Sequence, residues 1–244
     1  MITTKLAPAL AALMLFAAPY AAQAQKQPND TPPVAFGDNA EKPEKEEEAQ
    51  PAAPRTYAAI EYDASVEPDN VWVLDLSNGQ RVKVRLQADW APGHVERIKT
   101  LTRAGFYNGV VFHRVIDGFM AQGGDPTGTG QGGSELPDLK AEFNPMPHVR
   151  GTLSMARATE EDSANSQFFI VFYPRFSLDK KYTNFGRVID NMEAVDAINR
   201  GEPPAEPSYI VQASMGSDNL PPPPPPAPAE EAPISVDMLS APIP

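Results

Sequence analysis

Proline decides where this chain can fold. The residue fixes φ and removes a backbone donor, so it is kept out of helix interiors and central strands. The sequence has 28 prolines in 244 residues, and they crowd into two stretches. Residues 25–56 carry Pro28, Pro32, Pro33, Pro43, Pro51 and Pro54 beside the acidic run Glu44-Lys45-Glu46-Glu47-Glu48. Residues 217–244 carry the unbroken run Pro221 to Pro226, then alanine, proline and glutamate. Neither stretch can bury enough apolar surface to offset its ordering entropy. The first reads as a disordered linker and the second as a disordered, extended, semi-rigid tail. What remains is one block from Tyr57 to Gly216, about 160 residues, an ordinary size for a single domain.

The chain begins with a different signal. Lys5 gives a positive start, Leu6 to Ala18 is apolar, and Ala22-Gln23-Ala24 is a small-x-small cleavage site. This pattern predicts a removable secretory signal over residues 1–24. The apolar run is short for a span of about 20 residues, and no later segment is apolar enough to cross a membrane. The expected location is the periplasm or beyond. Cysteine is absent, which excludes disulfides, thiolate catalysis and thiolate-bound metals. The net charge of -12 argues against a sequence-independent grip on nucleic acid, which needs clustered Lys and Arg. No surplus apolar surface stands out, so a monomer is expected.

Inside the block the periodicity is mostly that of strands. Val71 to Leu76 alternates, with Trp72, Leu74 and Leu76 on one face. Ser77-Asn78-Gly79-Gln80 follows, and Asn-Gly tolerates the positive φ of a tight hairpin turn. Arg81 to Leu86 alternates again, with Val82, Val84 and Leu86 facing in and Arg81, Lys83 and Arg85 facing out. A helix is predicted next: Asp89 can cap it, Pro92 suits its first turn, Val95, Ile98 and Leu101 recur at helical spacing, and Gly105 ends it. Short apolar stretches then follow at 110–115, 119–122, 152–156, 167–172 and 185–189. A second helix is predicted over 191–199, with Met192, Val195 and Ile198 on its apolar face, and a closing strand over 208–213. Short strands, Gly-rich turns and two helices predict a mainly β fold, a closed antiparallel barrel with helices over its ends.

Four blocks in the same region carry a resemblance. Phe112-His113-Arg114-Val115-Ile116-Asp117-Gly118-Phe119-Met120-Ala121-Gln122-Gly123-Gly124-Asp125 closely resembles the cyclophilin signature. Gly151 to Arg157, Ser163 to Ile170, and Leu178-Asp179 through Phe185 to Val188 fit the same family in the same order. The resemblance implies a closed eight-stranded antiparallel β-barrel capped by two α-helices. It implies peptidyl-prolyl cis-trans isomerase activity on proline-containing polypeptides.

That chemistry breaks no bond, so no cofactor and no metal is expected. Rotation about the X-Pro amide faces a barrier of about 18–20 kcal/mol from its partial double-bond character. A donor aimed at the prolyl nitrogen withdraws the lone pair from resonance, and an interaction stronger in the twisted state than in the planar one accelerates rotation. Arg114 matches the family's catalytic arginine, a permanent charge with several donors in a rigid fork. Phe119, Met120, Phe169 and Leu178 match the positions lining the proline pocket, where an aromatic and thioether wall suits an apolar ring. Gln122 matches the residue that hydrogen-bonds the substrate backbone. Ala156 and Arg157 match the strand that pairs with the extended substrate through its backbone.

Two positions depart from the family. Tyr182 stands where a histidine is common at the pocket rim, and is expected to remain a contact. The position commonly held by tryptophan is Phe176 or Ser177, so strong cyclosporin inhibition is not expected.

Other readings find less support. Gly128 to Gly133 is glycine-rich but lacks the Lys-Ser/Thr of a phosphate-binding loop, and reads as a flexible loop. His94, His113 and His148 show no metal-ligand spacing; His113 is read as structural. Ser134 has no nucleophile-elbow glycine after it. The alternatives of another class are a proline-binding module or ATP-independent chaperone without turnover, and a scaffold that recruits partners through the proline-rich tail.

Overall fold

The computed structural model describes residues 57–224. The predicted signal, the linker and residues 225–244 of the predicted tail lie outside the described residues. Eight strands and two helices follow one another as β1 (Val71–Leu76), β2 (Arg81–Leu86), α1 (Pro92–Arg103), β3 (Arg114–Ile116), β4 (Met120–Gly123), β5 (Thr152–Met155), β6 (Phe168–Val171), β7 (Asn184–Asp190), α2 (Met192–Asp196) and β8 (Ile210–Met215). The strands form one antiparallel sheet in the order β3-β4-β6-β5-β7-β2-β1-β8. A strand stands at each predicted stretch, but β3 overlaps its expected 110–115 only at Arg114 and Val115.

The β1–β2 hairpin turns differently from the two-residue turn that Asn-Gly invites. Gly79 donates to the Leu76 carbonyl and Leu76 donates to the Gln80 carbonyl, and within the loop only Gly79 has positive φ (78°). That is a three-residue loop, a type I turn followed by a glycine in the left-handed region. Asn78 uses its side chain instead, accepting from the Gln80 N–H and donating to the Ala194 carbonyl.

The expected outward face of the hairpin is only partly wet. All six residues of β1 are buried, and so is Arg85. The cover is the segment before β1. Arg85 donates to the carbonyls of Glu61, Asp63, Val66 and Glu67, and Trp90 Nε1 donates to that of Ala58. A guanidinium with five donors can satisfy a ring of carbonyls that strands cannot reach, so the arginine tolerates burial. Asp75, also buried, is held by both arms of Arg81 at 2.8 Å.

Helix α1 buries Val95, Ile98 and Leu101, as its spacing requires. Its N-terminus is not capped by Asp89. The cap residue is Ala91, which offers no side-chain acceptor. The carboxylate of Glu142, far along the chain, accepts from the N–H groups of Gly93 and His94 and from His94 Nδ1. Negative charge there satisfies orphan donors and the helix dipole together. Helix α2 is shorter than predicted, five residues capped by Asn191.

The interior is filled from one face of the sheet. Trp72 meets Tyr107 and Phe168 edge-on at 5.1 and 5.0 Å, the favoured aromatic geometry. Irregularities in register at Asp75/Leu76, Lys83/Val84 and Leu153/Ser154 curl the sheet, as bulges do.

The expected closed barrel is not reached: among the described residues no ladder joins the end strands β3 and β8. Isolated bridges Val111–Tyr209 and Val115–Gly201 span the gap instead. The segment entering β8 contains Pro203, Pro204 and Pro207, which have no N–H to donate, and proline is confined to places where a ladder lapses. The sheet is a curled, open half-barrel with two helices.

Candidate active site

Alternation along β3, β4 and β6 gives these strands two apolar faces. Val115, Ala121, Phe168 and Ile170 enter the main core, whereas Met120, Phe169 and Val171 form a second cluster with Ile116, Phe119, Ala156, Leu178 and Tyr182. The register explains which residues meet. Arg114 lies opposite Gln122, Gln122 opposite Phe169, and Phe169 opposite Ser154. One row across four strands therefore places a guanidinium, an amide and a phenyl ring side by side on the outer face.

These residues line a cleft of about 740 Å³. All nine residues singled out from the sequence are in its wall: Arg114, Phe119, Met120, Gln122, Ala156, Arg157, Phe169, Leu178 and Tyr182. Met120 and Phe169 make a nearly buried floor. Tyr182 meets Phe169 edge-on at 5.5 Å, and the Arg157 guanidinium lies 5.1 Å above the Tyr182 ring. Arg157 also donates to the carbonyls of Ala158, Thr159 and Lys181, so its side chain holds the rim together. Phe176 is exposed and stands outside this wall, as does Ser177.

Beneath Phe169 lies a buried polar network. His148 stacks on the ring, with centroids 6.4 Å apart and planes at 19°. Its Nδ1 is 2.8 Å from Asp179 Oδ1, and its Nε2 is 2.8 Å from Ser154 Oγ. Burial lowers the His148 pKa against the opposing pull of Asp179. A neutral ring donates from Nδ1 to the carboxylate and accepts from the hydroxyl, so all three groups are satisfied.

The glycine-rich stretch, expected as a flexible loop, is gathered round one carboxylate. Asp125 accepts from the N–H groups of Thr127, Gly130 and Gly132 at 2.7, 2.6 and 3.1 Å. Burial pushes its pKa up, but these bonds and the Thr127 hydroxyl outweigh that and hold it at about 2. Gln167 fastens the same loop, donating to the Gly130 and Gly132 carbonyls, while its amide oxygen accepts from Gln122.

Sequence reasoning missed three contributions to the wall. Gly128 to Gln131 from this loop, and Glu202 and Pro203 from the segment before β8, all line the cleft. His113, read as structural, lines it too. Its ring is buried, with neither nitrogen hydrogen-bonded among the described residues, and burial lowers its pKa. The first loop lies just beyond the signature, which ends at Asp125; nothing local marks Glu202, which arrives through long-range pairing.

The chain is similar to several known proteins. A family model described as cyclophilin type peptidyl-prolyl cis-trans isomerase/CLD matches residues 73–215. A probable peptidyl-prolyl cis-trans isomerase of Brucella suis is 43% identical over 179 residues, 67% of this chain and 91% of that protein. Peptidyl-prolyl cis-trans isomerase B of Bacillus subtilis is 41% identical over 128 residues, 52% of this chain and 89% of that one. Among solved structures, the cyclophilin AquaCyp293 from Hirschia baltica matches with a TM-score of 0.59 at 30% identity, over 64% of this chain and 77% of that one. A Cryptosporidium parvum cyclophilin, crystallised in the presence of the dipeptide Ala-Pro, matches with a TM-score of 0.55 at 29% identity, over 59% of this chain and 98% of that one. With its signature row, its apolar floor and more than half its length matched, the chain belongs to the cyclophilin-type peptidyl-prolyl cis-trans isomerase family.

Proposed function

We propose that this isomerase works on exported proteins, turning X-Pro bonds outside the cytoplasmic membrane and so assisting their folding. The observation that carries the site assignment is the row Arg114–Gln122–Phe169 above the apolar floor. A substrate proline packs its ring on Phe169 and Met120, with Phe119 and Leu178 at the sides. Gln122 and the backbone at Ala156 and Arg157 hold the chain on either side of it. Arg114 donates toward the prolyl nitrogen as the amide twists. That nitrogen is a poor acceptor in the planar amide and a good one at the twisted state, so the bond forms where it lowers the barrier. The neighbour crystallised with Ala-Pro supports a proline-containing ligand for this cleft.

Localisation rests on the sequence. Lys5, the apolar run and Ala22-Gln23-Ala24 support cleavage after residue 24. The linker over 25–56 and the tail over 217–244 then flank the isomerase domain, residues 57–216, as spacers.

Two measurements test the proposal. Cis-trans exchange in a short X-Pro peptide, followed with the purified chain and with Arg114→Ala, should show clear acceleration that the variant largely loses. A folded parent without acceleration would leave a proline-binding or chaperone module. Fractionation of the source cells, with the mass of the mature N-terminus, should find a form beginning at Gln25 outside the cytoplasm. A full-length cytoplasmic form would rule out export.

A further inference from the structure

The segment between α2 and β8 carries a carboxylate to the cleft, and its placement is over-determined. The Gly201 N–H donates to the Val115 carbonyl and the Val115 N–H donates back, at 2.9 and 2.8 Å. This antiparallel bridge sets the next residue, Glu202, opposite the preceding one on β3, Arg114. The anchor tolerates no side chain at Gly201: its φ is 144°, and a Cβ would lie 2.5 Å from the Pro204 Cα. On one side Arg200 stacks over Phe172 at 4.2 Å and reaches Asp117. On the other, Pro203 and the buried Pro204 stiffen the backbone.

Glu202 uses this position. Its Oε2 accepts from Arg114 Nε at 2.7 Å, and among the described residues no other group hydrogen-bonds that guanidinium. The pair adds little to folding, because its side chains are 43% and 51% exposed and exposed pairs are largely cancelled by water and side-chain entropy. Its effect falls on orientation. Arg114 stands on a three-residue strand with a long side chain, and a bond at Nε fixes the guanidinium plane while leaving both Nη groups for a ligand.

We propose that Glu202 is a positioning residue for the isomerisation, holding Arg114 by Nε so that the Nη donors are set for the twisted prolyl amide. The inference rests on the isomerase reading above. It concerns an accepted hydrogen bond, so an amide should serve where a methyl group cannot.

The test measures kcat and KM on an X-Pro peptide for the full chain, Glu202→Ala and Glu202→Gln, with unfolding midpoints for each. Glu202→Ala should lose about 5-fold in kcat, the scale of one exposed charged pair, with KM and midpoint unchanged. Glu202→Gln should restore kcat to within about twofold of the parent, since its carbonyl still accepts from Nε. An active parent whose Glu202→Ala variant keeps its kcat, or changes only in KM, overturns the inference alone. So does a Glu202→Gln variant as slow as Glu202→Ala. A parent chain that gives no acceleration sinks the isomerase reading, and this inference falls with it.

Discussion

Phe168 and Phe169 are neighbours in sequence and belong to different parts of the molecule. Phe168 is fully buried among Trp72, Tyr107 and Phe112. Phe169 is 5% exposed, lies over the His148 network, and floors the cleft. Both are buried enough to be called core, yet one ring is enclosed by protein and the other borders the cleft. The lesson is that β6 has no solvent face. Alternation along it separates two apolar environments, one that fills the interior and one that lines the cleft, rather than inside from outside.

The two faces of β6 should differ most at Phe168. Phe168→Ala should cost about 3–5 kcal/mol of stability, the range for a buried phenyl in a packed interior, read as a lower denaturant midpoint. A near-normal midpoint would mean that the two faces are not energetically distinct. Arg114→Ala sharpens the contrast from the other side. It should lower kcat/KM by about 10²-fold or more, as losing a preorganised donor does, with the midpoint unchanged. Phe169→Ala falls between them. It should weaken substrate binding, seen as a higher KM, and cost less stability than Phe168→Ala because the cleft side of the ring already borders open space. If the two alanine variants lose equal stability, the cleft floor is simply more core.

The smallest effect is one of pH. His148 and His113 both have folded pKa values lowered by burial, below the ordinary value of about 6.5. The unfolded chain therefore binds more protons than the folded one in the interval below 6.5, so stability is full above it and declines as pH falls through it. Denaturant midpoints measured from pH 8 to pH 5 should fall, and replacing His148 by asparagine should flatten the fall. Asp125 acts in a separate window. With its pKa held at about 2, its contribution persists until the pH drops below about 4.

What was legible in the sequence was what short-range periodicity and local chemistry encode. The alternation at Val71 to Leu86 gave the hairpin, and the spacing of Val95, Ile98 and Leu101 gave α1. The signature residues identified the cleft wall, Tyr182 among them despite its departure from the family. What escaped depends on partners distant in sequence. Asp89 was the local cap candidate, but Glu142, supplied by a loop, took the role. Alternation places Arg85 toward solvent, whereas the 57–70 segment buries it. Short strands, Gly-rich turns and two helices predict a closed barrel, but the segment before β8, with its prolines, forms no ladder across the seam. Glu202 faces Arg114 only because Gly201 pairs with Val115, a register that no local pattern announces.

That seam has a consequence for motion. Arg114 sits on the shortest strand, at the end of the sheet, tied on its free side by the paired amides of Val115 and Gly201. Opening that one bridge frees the guanidinium while the Trp72–Phe168 interior stays intact, since low-energy local openings need not involve the global transition. Hydrogen exchange should register the difference: the Val115 and Gly201 amides should exchange sooner than those of β1, held between two neighbours. Arg114 thus rides on an end strand whose free side is spanned by a single isolated bridge at Val115.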